Sequence, residues 1–250
     1  MSGVFHVADD AYDAFMGRYS VRLAPVFAEF AGVAGGQRVV DVGAGTGALT
    51  GHLLQRGADV AAVEPSPEFC SALRRRYPEL AVHEAVAEEL PLADESFDVA
   101  LAQLVVAFMA DAPTAVREMA RVARTVAVCM WGVEEVEMFA AIDRTGRAIG
   151  AGVAERGARR YRTEAEIAEL LSPLGEVETT VLDVTASYDG FDDFWRALAG
   201  VVGPAGEWYR SLDAELRSRA HEELHRQLGS PSGSFELAGR AYAAKIVRAA

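Results

Sequence analysis

Apolar residues follow two different spacings along the first half of the chain. Short apolar runs with the composition of buried strands predict strands at 38–42, 59–63, 80–84, 98–104 and 125–131. Apolar residues at helical spacing predict helices at about 9–31, 48–55, 66–77 and 113–122, and Ser66-Pro67 has the composition of a helix start. Strands that alternate with helices in this way predict βαβ units and a parallel sheet.

The second half has longer helices and fewer strands. The same patterns predict helices at 134–148, 163–171, about 191–201 and about 207–228, with strands at 176–186 and about 235–247. The helices between 191 and 228 therefore form an insertion between the last two strands. We expect an α/β fold with a seven-stranded, mostly parallel sheet, helices on both faces and a helical insertion or cap at about 190–230.

The clearest chemical signal is a glycine-rich turn between the first strand and the next helix. Its sequence is Val39-Val40-Asp41-Val42-Gly43-Ala44-Gly45-Thr46-Gly47-Ala48-Leu49. Glycines permit a tight turn and a close approach of the backbone to a ligand, and the helix start supplies unpaired N–H groups. Glu64 follows about 20 residues later, at a strand end where an acid accepts hydrogen bonds from ribose hydroxyls. The turn therefore predicts a cofactor site at the carboxyl edge of the sheet.

Taken alone, this turn has more than one interpretation. Gly43-x-Gly45-x-x-Ala48 also fits the degenerate dinucleotide fingerprint, and a tight turn without a ligand is a further alternative. Three features argue against a dinucleotide. Asp41 occupies a position that is usually apolar in those folds, Gly47 adds a third glycine, and a distinctive segment follows at 87–99. That segment reads Ala-Glu-Glu-Leu-Pro-Leu-Ala-Asp-Glu-Ser-Phe-Asp-Val.

The combination of these motifs is specific. The turn from Asp41 to Gly47, Glu64, residues 87–99 and the pair Gln103-Leu104 resemble the class I S-adenosylmethionine-dependent methyltransferases of the ubiquinone/menaquinone-biosynthesis-like type, methyltransferase type 11. The resemblance is strong over about 36–131 and weaker from Tyr12 to Ser20. It implies a Rossmann-like fold, S-adenosyl-L-methionine as cofactor, S-adenosyl-L-homocysteine as product and methyl transfer to a small molecule by in-line displacement.

The resemblance also divides the chain. We expect a single methyltransferase domain over 1–250, with an N-terminal helical segment at 1–36 and a cofactor-binding core at 37–131. Residues 132–250 then form the substrate-side half, which contains the helical insertion.

Within the core, the resemblance assigns cofactor contacts to particular positions. Gly43, Ala44 and Gly45 pass under the methionine and ribose portions, and Asp41 lies near the methionyl amine, directly or through water. Glu64 binds both ribose hydroxyls. The remaining expected contacts are Thr46 and Gly47 in the turn, Pro65 and Ser66 beside the adenine, Ala87 and Glu88 along its edge, and Gln103 and Leu104 by the methionine chain.

Three residues near the N-terminus resemble a segment that closes over the cofactor. They are Tyr12, Arg18 and Tyr19, with Arg18 a candidate partner for the cofactor's carboxylate. Helix packing for the two tyrosines and a solvated surface charge for Arg18 are the alternatives.

Two positions depart from the family pattern. Val86 stands where relatives often carry an Asp that accepts from the adenine amino group, and Ala107 stands where many carry a His. A candidate general base is therefore absent at position 107, and no catalytic residue is assigned.

Aromatic residues near strand ends or in the insertion are candidates for the acceptor pocket, and an apolar, aromatic-lined pocket suits a planar or lipophilic small molecule. They are Phe15, Phe108, Trp131, Tyr161 and Trp195, with Tyr188 as a further candidate. His221-Glu222-Glu223-Leu224-His225 matches the letters of a zinc-protease motif, but its acidic helical setting favours a solvated helix, so no metal is expected.

The composition limits the classes of partner that this chain is expected to bind. The net charge of −13 argues against nucleic acid, and the absence of a long apolar run argues against a membrane span. No signal peptide is visible, so we expect a cytoplasmic protein, and two cysteines suggest neither a disulfide framework nor a metal site. Monomer and homodimer both stay open, as do the acceptor and the methylated atom. The alternatives are an NAD(P)-dependent oxidoreductase, for which a Tyr-x-x-x-Lys pair is missing, and a non-catalytic cofactor-binding protein.

Overall fold

The computed structural model describes residues 13–152, 160–200 and 204–248. After a π-helical turn at Asp13–Gly17, the helices are α1 (Arg18–Phe30), α2 (Ala48–Gln55), α3 (Pro67–Arg76), α4 (Ala112–Val122), α5 (Glu137–Ile149), α6 (Glu164–Leu171), α7 (Phe191–Gly200), α8 (Pro204–Ser211) and α9 (Ala214–Gln227). The strands are β1 (Arg38–Val42), β2 (Asp59–Glu64), β3 (Ala81–Glu84), β4 (Phe97–Gln103), β5 (Ala123–Val136), β6 (Glu178–Tyr188) and β7 (Phe235–Val247).

The seven strands form one sheet in the order β3-β2-β1-β4-β5-β7-β6. The pairs β3–β2, β2–β1, β1–β4 and β4–β5 are all parallel. Helices α7 to α9 lie between β6 and β7 in the chain. The α/β fold with a mostly parallel seven-stranded sheet and a late helical insertion is therefore confirmed.

Two differences from the sequence-based expectation exceed two residues. The strand expected at 125–131 continues to Val136, and the following helix begins only at Glu137. The single helix expected at 207–228 is two helices, α8 and α9. Asp213 separates them because its side chain accepts a hydrogen bond from the Leu216 backbone N–H at 2.8 Å and so caps a new helix.

The chain divides into two compact units. We call Ser20–Trp131, Arg160–Leu182 and Ala241–Ala250 the core unit, and Met1–Tyr19, Gly132–Arg159 and Asp183–Arg240 the insertion unit. None of the helices in the described part of the chain combines the length and hydropathy that a membrane span requires.

In the core unit, buried strands provide the centre. Every residue of β1 and β2 after the first is buried, as expected for parallel strands covered on both faces. Helix α4 presents an apolar face to the cluster that contains Val40, Val42 and Val128. Its N-terminus is capped by Asp111, whose carboxylate accepts from the Thr114 N–H at 3.1 Å.

In the insertion unit, aromatic rings provide the centre. Phe194 is fully buried and lies 5.1 Å from Tyr188 in an edge contact, and Tyr188 stacks on Phe235 at 5.4 Å. Phe191 makes T-shaped contacts with His221 and His225, at centroid distances of 4.9 and 4.8 Å. The two histidines of the zinc-protease-like motif therefore pack on an aromatic ring. No group of three or more His, Cys, Asp or Glu side chains within the described ranges could hold a metal ion.

Candidate cofactor-binding site

The site expected from the glycine turn lies where the strand order of the sheet reverses. Strand β1 pairs with β2 on one side, with Val42 opposite Val63, and with β4 on the other, with Asp41 opposite Leu101. Because these pairings are parallel, the carboxyl ends of the three strands lie at one edge. Open α/β sheets bind ligands at this edge, at the point of reversal.

Glycine is favoured at the three glycine positions of the turn for different structural reasons. All have positive φ, at 74° for Gly43, 56° for Gly45 and 90° for Gly47. A Cβ on Gly43 would lie 2.9 Å from Val105, and one on Gly47 would lie 2.8 Å from Leu73. A Cβ on Gly45 would meet nothing within 4 Å. Packing against Val105 thus leaves no room for a side chain at 43, whereas at 47 the ends of the Leu73 and Tyr77 side chains would have to move. The turn is open in front of Gly45.

Glu64 joins the turn directly. One carboxylate oxygen, Oε2, accepts from the Gly45 N–H at 2.9 Å, and the other, Oε1, accepts from the Ser66 N–H at 2.9 Å. Burial raises the pKa of this carboxyl, and the two backbone hydrogen bonds oppose that shift. Each oxygen keeps a lone pair after accepting one bond. The acid is therefore held in one orientation and still has acceptor capacity.

Asp41 is buried at the end of β1 and is bound by the next helix. Its Oδ2 accepts from the Thr50 hydroxyl at 2.6 Å. Burial raises the Asp41 pKa to about 7; the hydrogen bonds from Thr50 oppose the shift, and the charge of Glu64 adds to it. A cation placed beside Asp41 would favour its ionised form.

The end of β4 contains a buried acceptor to which no group in the described part of the chain donates. The Gln103 side chain donates from Nε2 to the Ser20 carbonyl at 3.2 Å, but within the described residues its buried Oε1 has no hydrogen-bond partner. Leu104, the next residue, is non-glycine with φ 64°, and its N–H donates to the Cys129 carbonyl. An unsatisfied buried acceptor is unfavourable, so this position fits a ligand N–H group.

Residues 87–99 are tied to helix α4. Arg121 donates to the carbonyls of Leu90, at 3.0 Å, and Leu92, at 2.8 Å, while its Nε and Nη2 both bind Glu118. Glu118 also accepts from the Leu90 N–H at 3.2 Å. Neither Glu118 nor Arg121 was expected from sequence reasoning. Their i, i+3 spacing is an ordinary helix-surface pattern, and only the fold brings the loop carbonyls to them.

Other expected contacts lie along the same edge of the core unit. Ser66 caps helix α3 by accepting from the Phe69 N–H at 3.3 Å, and Pro65 is exposed beside it. Ala87 and Thr46 are buried. The Glu88 side chain accepts from the Asp111 N–H at 2.9 Å, so it links two loops of this edge.

The expected N-terminal contact residues lie in the insertion unit or outside the described residues. Tyr12 lies outside the described residues. Arg18 makes a two-pronged ion pair with Asp193 at 2.7 and 2.8 Å and also donates to the Ala14 and Ser187 carbonyls. Tyr19 is fully buried, and burial raises its pKa.

The expected acceptor-pocket aromatics do not all belong to one compact unit. Phe15 and Trp195 lie in the insertion unit, whereas Phe108, Trp131 and Tyr161 lie in the core unit. Phe108 is 47% exposed beyond the end of β4, while Tyr161 is buried in the apolar cluster of the core unit. Phe108 is thus the most accessible of the three in the core unit.

The comparison with known families covers this same edge. The model of the family described as "Methyltransferase domain" matches residues 40–130. The match includes the glycine turn, Glu64, residues 87–99 and Gln103. The methyltransferase resemblance predicted from the sequence is therefore confirmed.

Curated relatives match about a third of the chain. An uncharacterized methyltransferase of Mycobacterium tuberculosis is 44% identical over 91 residues, which is 36% of this chain and 37% of that protein. A malonyl-[acyl-carrier protein] O-methyltransferase of Halorhodospira halophila is 41% identical over 91 residues, 34% of this chain and 31% of that protein. A demethylmenaquinone methyltransferase of Chlorobaculum parvum is 36% identical over 86 residues, 34% of this chain and 36% of that protein. The chain thus spans only about a third of the length of these relatives.

Solved structures extend the likeness to most of the chain, at the level of fold. A protein from Anaeromyxobacter dehalogenans assigned to the type II methyltransferases has a TM-score of 0.64 and 21% identity, and covers 90% of this chain and 95% of that one. The [4+2]-cyclase SpnF has a TM-score of 0.59 and 20% identity, with 92% and 82% covered. Because a cyclase shares the fold, the fold by itself does not define the reaction.

Proposed function

We propose that this chain is an S-adenosylmethionine-dependent methyltransferase that acts on a small molecule. The observation that carries the proposal is the fixed carboxylate of Glu64, held by backbone N–H groups of Gly45 and Ser66 beside the open side of the glycine turn. Two free acceptor positions on one rigid carboxylate suit a pair of neighbouring ribose hydroxyls. The family match over 40–130 agrees with this assignment.

The residues present fit the rest of the cofactor chemically. The unpartnered Oε1 of Gln103 is an acceptor for the N–H groups of an amino-acid ammonium, and the buried Asp41 carboxyl provides a counter-charge. The absence of any side chain in front of Gly45 leaves room for a close approach to the backbone. When bound, S-adenosylmethionine supplies a methyl group on a cationic sulfonium, which is already a strong electrophile.

The protein's main contribution to the chemistry is then to position the acceptor. Holding two reactants in line at contact distance contributes several kcal/mol without a dedicated base. We propose that residues 37–131 bind the cofactor and that residues 132–250 help to select the acceptor. The net charge of −13 and the acceptors in two relatives' names, malonyl-acyl carrier protein and demethylmenaquinone, support a metabolite-type acceptor rather than nucleic acid.

Calorimetric titration of the purified chain with S-adenosylmethionine, S-adenosylhomocysteine and NADH tests the cofactor assignment. We expect micromolar binding of the two sulfur compounds and none of NADH. Glu64→Ala should weaken that binding about 100-fold, because two hydrogen bonds to a charged group are lost. Glu84→Ala is the matched control, since Glu84 is an exposed acid at the end of the next strand, in register with Glu64.

Two results would contradict the proposal. Binding of NADH without the sulfur compounds would assign the turn to a dinucleotide and the protein to hydride chemistry. Equal losses in the Glu64 and Glu84 variants would mean that Glu64 has no specific role.

A further inference from the structure

The segment before helix α6 is held in a fixed conformation. Glu166 Oε2 accepts from the backbone N–H groups of Arg162, at 2.7 Å, and Thr163, at 3.1 Å, and the Thr163 hydroxyl accepts from the Glu166 N–H at 3.2 Å. This is a capping box, and it fixes the backbone on which Arg162 sits. Tyr161, the preceding residue, is buried with φ 69°, a strained conformation for an aromatic residue.

Arg162 presents buried donors that nothing in the described part of the chain accepts. Its Nε and Nη2 are both buried and both lack a hydrogen-bond partner. A guanidinium is always charged, and burying its donors unpaired is unfavourable. Oε2 of Glu166, four residues away, accepts from two backbone N–H groups and the Thr163 hydroxyl.

The two unpaired atoms are one edge of the guanidinium plane, and other arginines of this chain show what that edge binds. Arg121 binds both oxygens of Glu118 through Nε and Nη2, at 2.8 and 2.7 Å. Arg240 binds both oxygens of Asp183 through the same two atoms, at 2.7 and 3.1 Å. The edge matches the spacing of two oxygens on a carboxylate or a phosphate.

We propose that Arg162 binds a carboxylate or phosphate group carried by a ligand through this edge. Resting on the proposed function, we further assign that group to the methyl acceptor. Arg162 belongs to the core unit, and Tyr161 beside it is buried in the same apolar cluster as Val106 and Ala112, which follow the carboxyl end of β4. An acceptor with an apolar body and one anionic group fits these surroundings.

The test observes the Arg162 side chain directly in the full chain. The Nε–H resonance of Arg162 is assigned by its loss in Arg162→Lys and followed during titration with sodium acetate, sodium phenylacetate, inorganic phosphate and neutral acetamide. We expect saturable shifts with at least one of the anions and none with acetamide. Phenylacetate binding about tenfold tighter than acetate would support an anion carried on an apolar acceptor. Equal binding of the two, or a response to phosphate alone, would overturn the acceptor assignment and leave a site for a small free ion.

A second measurement separates binding from a structural role. Because the guanidinium edge has no partner among the described residues, Arg162→Gln should leave the melting temperature at low salt unchanged or higher. It should also abolish the rise in melting temperature that we expect anions to cause in the wild type. Arg160→Gln is the matched control, a neighbouring cation whose guanidinium lies over the Tyr161 ring and which should keep the anion response. A clear fall in the melting temperature of Arg162→Gln, or no anion response in the wild type, would overturn the proposal.

The proposed anion site at Arg162 and the proposed cofactor site can each be disproved without the other. S-adenosylhomocysteine binding should be the same in Arg162→Gln and wild type. If the wild type binds anions at Arg162 but not S-adenosylhomocysteine, the cofactor assignment fails and the anion site stands.

Discussion

The expected cofactor site in the core unit and the ion pairs of the insertion unit use polar groups in opposite ways. In the core unit, backbone N–H groups orient the acid of the site, and polar atoms such as Gln103 Oε1 have no partner in the described residues. In the insertion unit, charged side chains pair with one another, as in Arg18 with Asp193 and Arg240 with Asp183. Paired charges stabilise a structure, whereas rigidly held groups with spare bonding capacity are what a binding site needs.

The largest effect should come from the glycine turn, where two alanine substitutions separate stability from binding. Gly43→Ala should lower the free energy of unfolding by about 3 kcal/mol, because the new Cβ adds a clash to a left-handed backbone. In the structure that Cβ would lie 2.9 Å from Val105. Gly45→Ala should lower it by only about 1 kcal/mol, since nothing lies within 4 Å, but should weaken S-adenosylhomocysteine binding strongly.

Urea unfolding and calorimetry on both variants measure these two quantities. Gly152→Ala, at a glycine with ordinary φ and nothing within 4 Å of its Cβ, is the control. Equal losses of stability at 43 and 45 would show that packing against Val105 does not distinguish the two glycines.

The next effect concerns the loop at 87–99. Arg121→Ala should destabilise the protein by about 2 kcal/mol, because the Leu90 and Leu92 carbonyls and the Glu118 carboxylate lose their donor. If this loop borders the adenine, the variant should also weaken cofactor binding several-fold. Arg117→Ala, four residues earlier on the same helix, is the control. Unchanged cofactor affinity in Arg121→Ala would mean that the loop does not contribute to the site.

A pH effect is expected at Asp41. Its pKa of about 7 lies above the ordinary value for Asp, so the folded state binds a proton that the unfolded state has released. Its contribution to stability is therefore full below the unfolded pKa of about 4 and falls as the pH rises to about 7. Asp41→Asn should remove this dependence, which unfolding curves at pH 5 and pH 8 would measure. The same slope in both proteins would rule out Asp41 as its source.

The smallest effect should come from the insertion unit. Replacing both Arg18 and Asp193 by alanine in a double-mutant cycle should give a coupling free energy of about 1 kcal/mol for this partly exposed pair. The hydrogen bond from Arg18 lowers the pKa of Asp193. The coupling is therefore present above the ordinary Asp pKa of about 3.9 and is lost as the pH falls through the lower folded value. Coupling that persists at pH 2 would contradict the ion-pair explanation.

Much of the core unit could be predicted because its signals are local. The turn from Asp41 to Gly47 can be predicted from its glycines, which a left-handed backbone favours. Strands β1 and β2 can be predicted from their apolar runs, because both faces of these strands are buried. The helix start predicted at Ser66-Pro67 is confirmed, and it could be predicted because capping involves only neighbours in sequence. The division of one expected helix into α8 and α9 was missed, although Asp213 supplied a local signal for it.

The sequence by itself determined most of the succession of strands and helices along the chain, the glycine turn and the methyltransferase resemblance of residues 40–130, because each depends on residues close together in the chain. Only the tertiary structure decided which groups have partners. Packing of the elements pairs Arg18 with Asp193, Arg121 with the loop carbonyls and Thr50 with Asp41. Within the described residues, it leaves Gln103 Oε1 without a donor and one edge of the Arg162 guanidinium without an acceptor. Hydrogen-bond partners that are distant in sequence are set by how the elements pack, and a local sequence pattern contains no information about that packing.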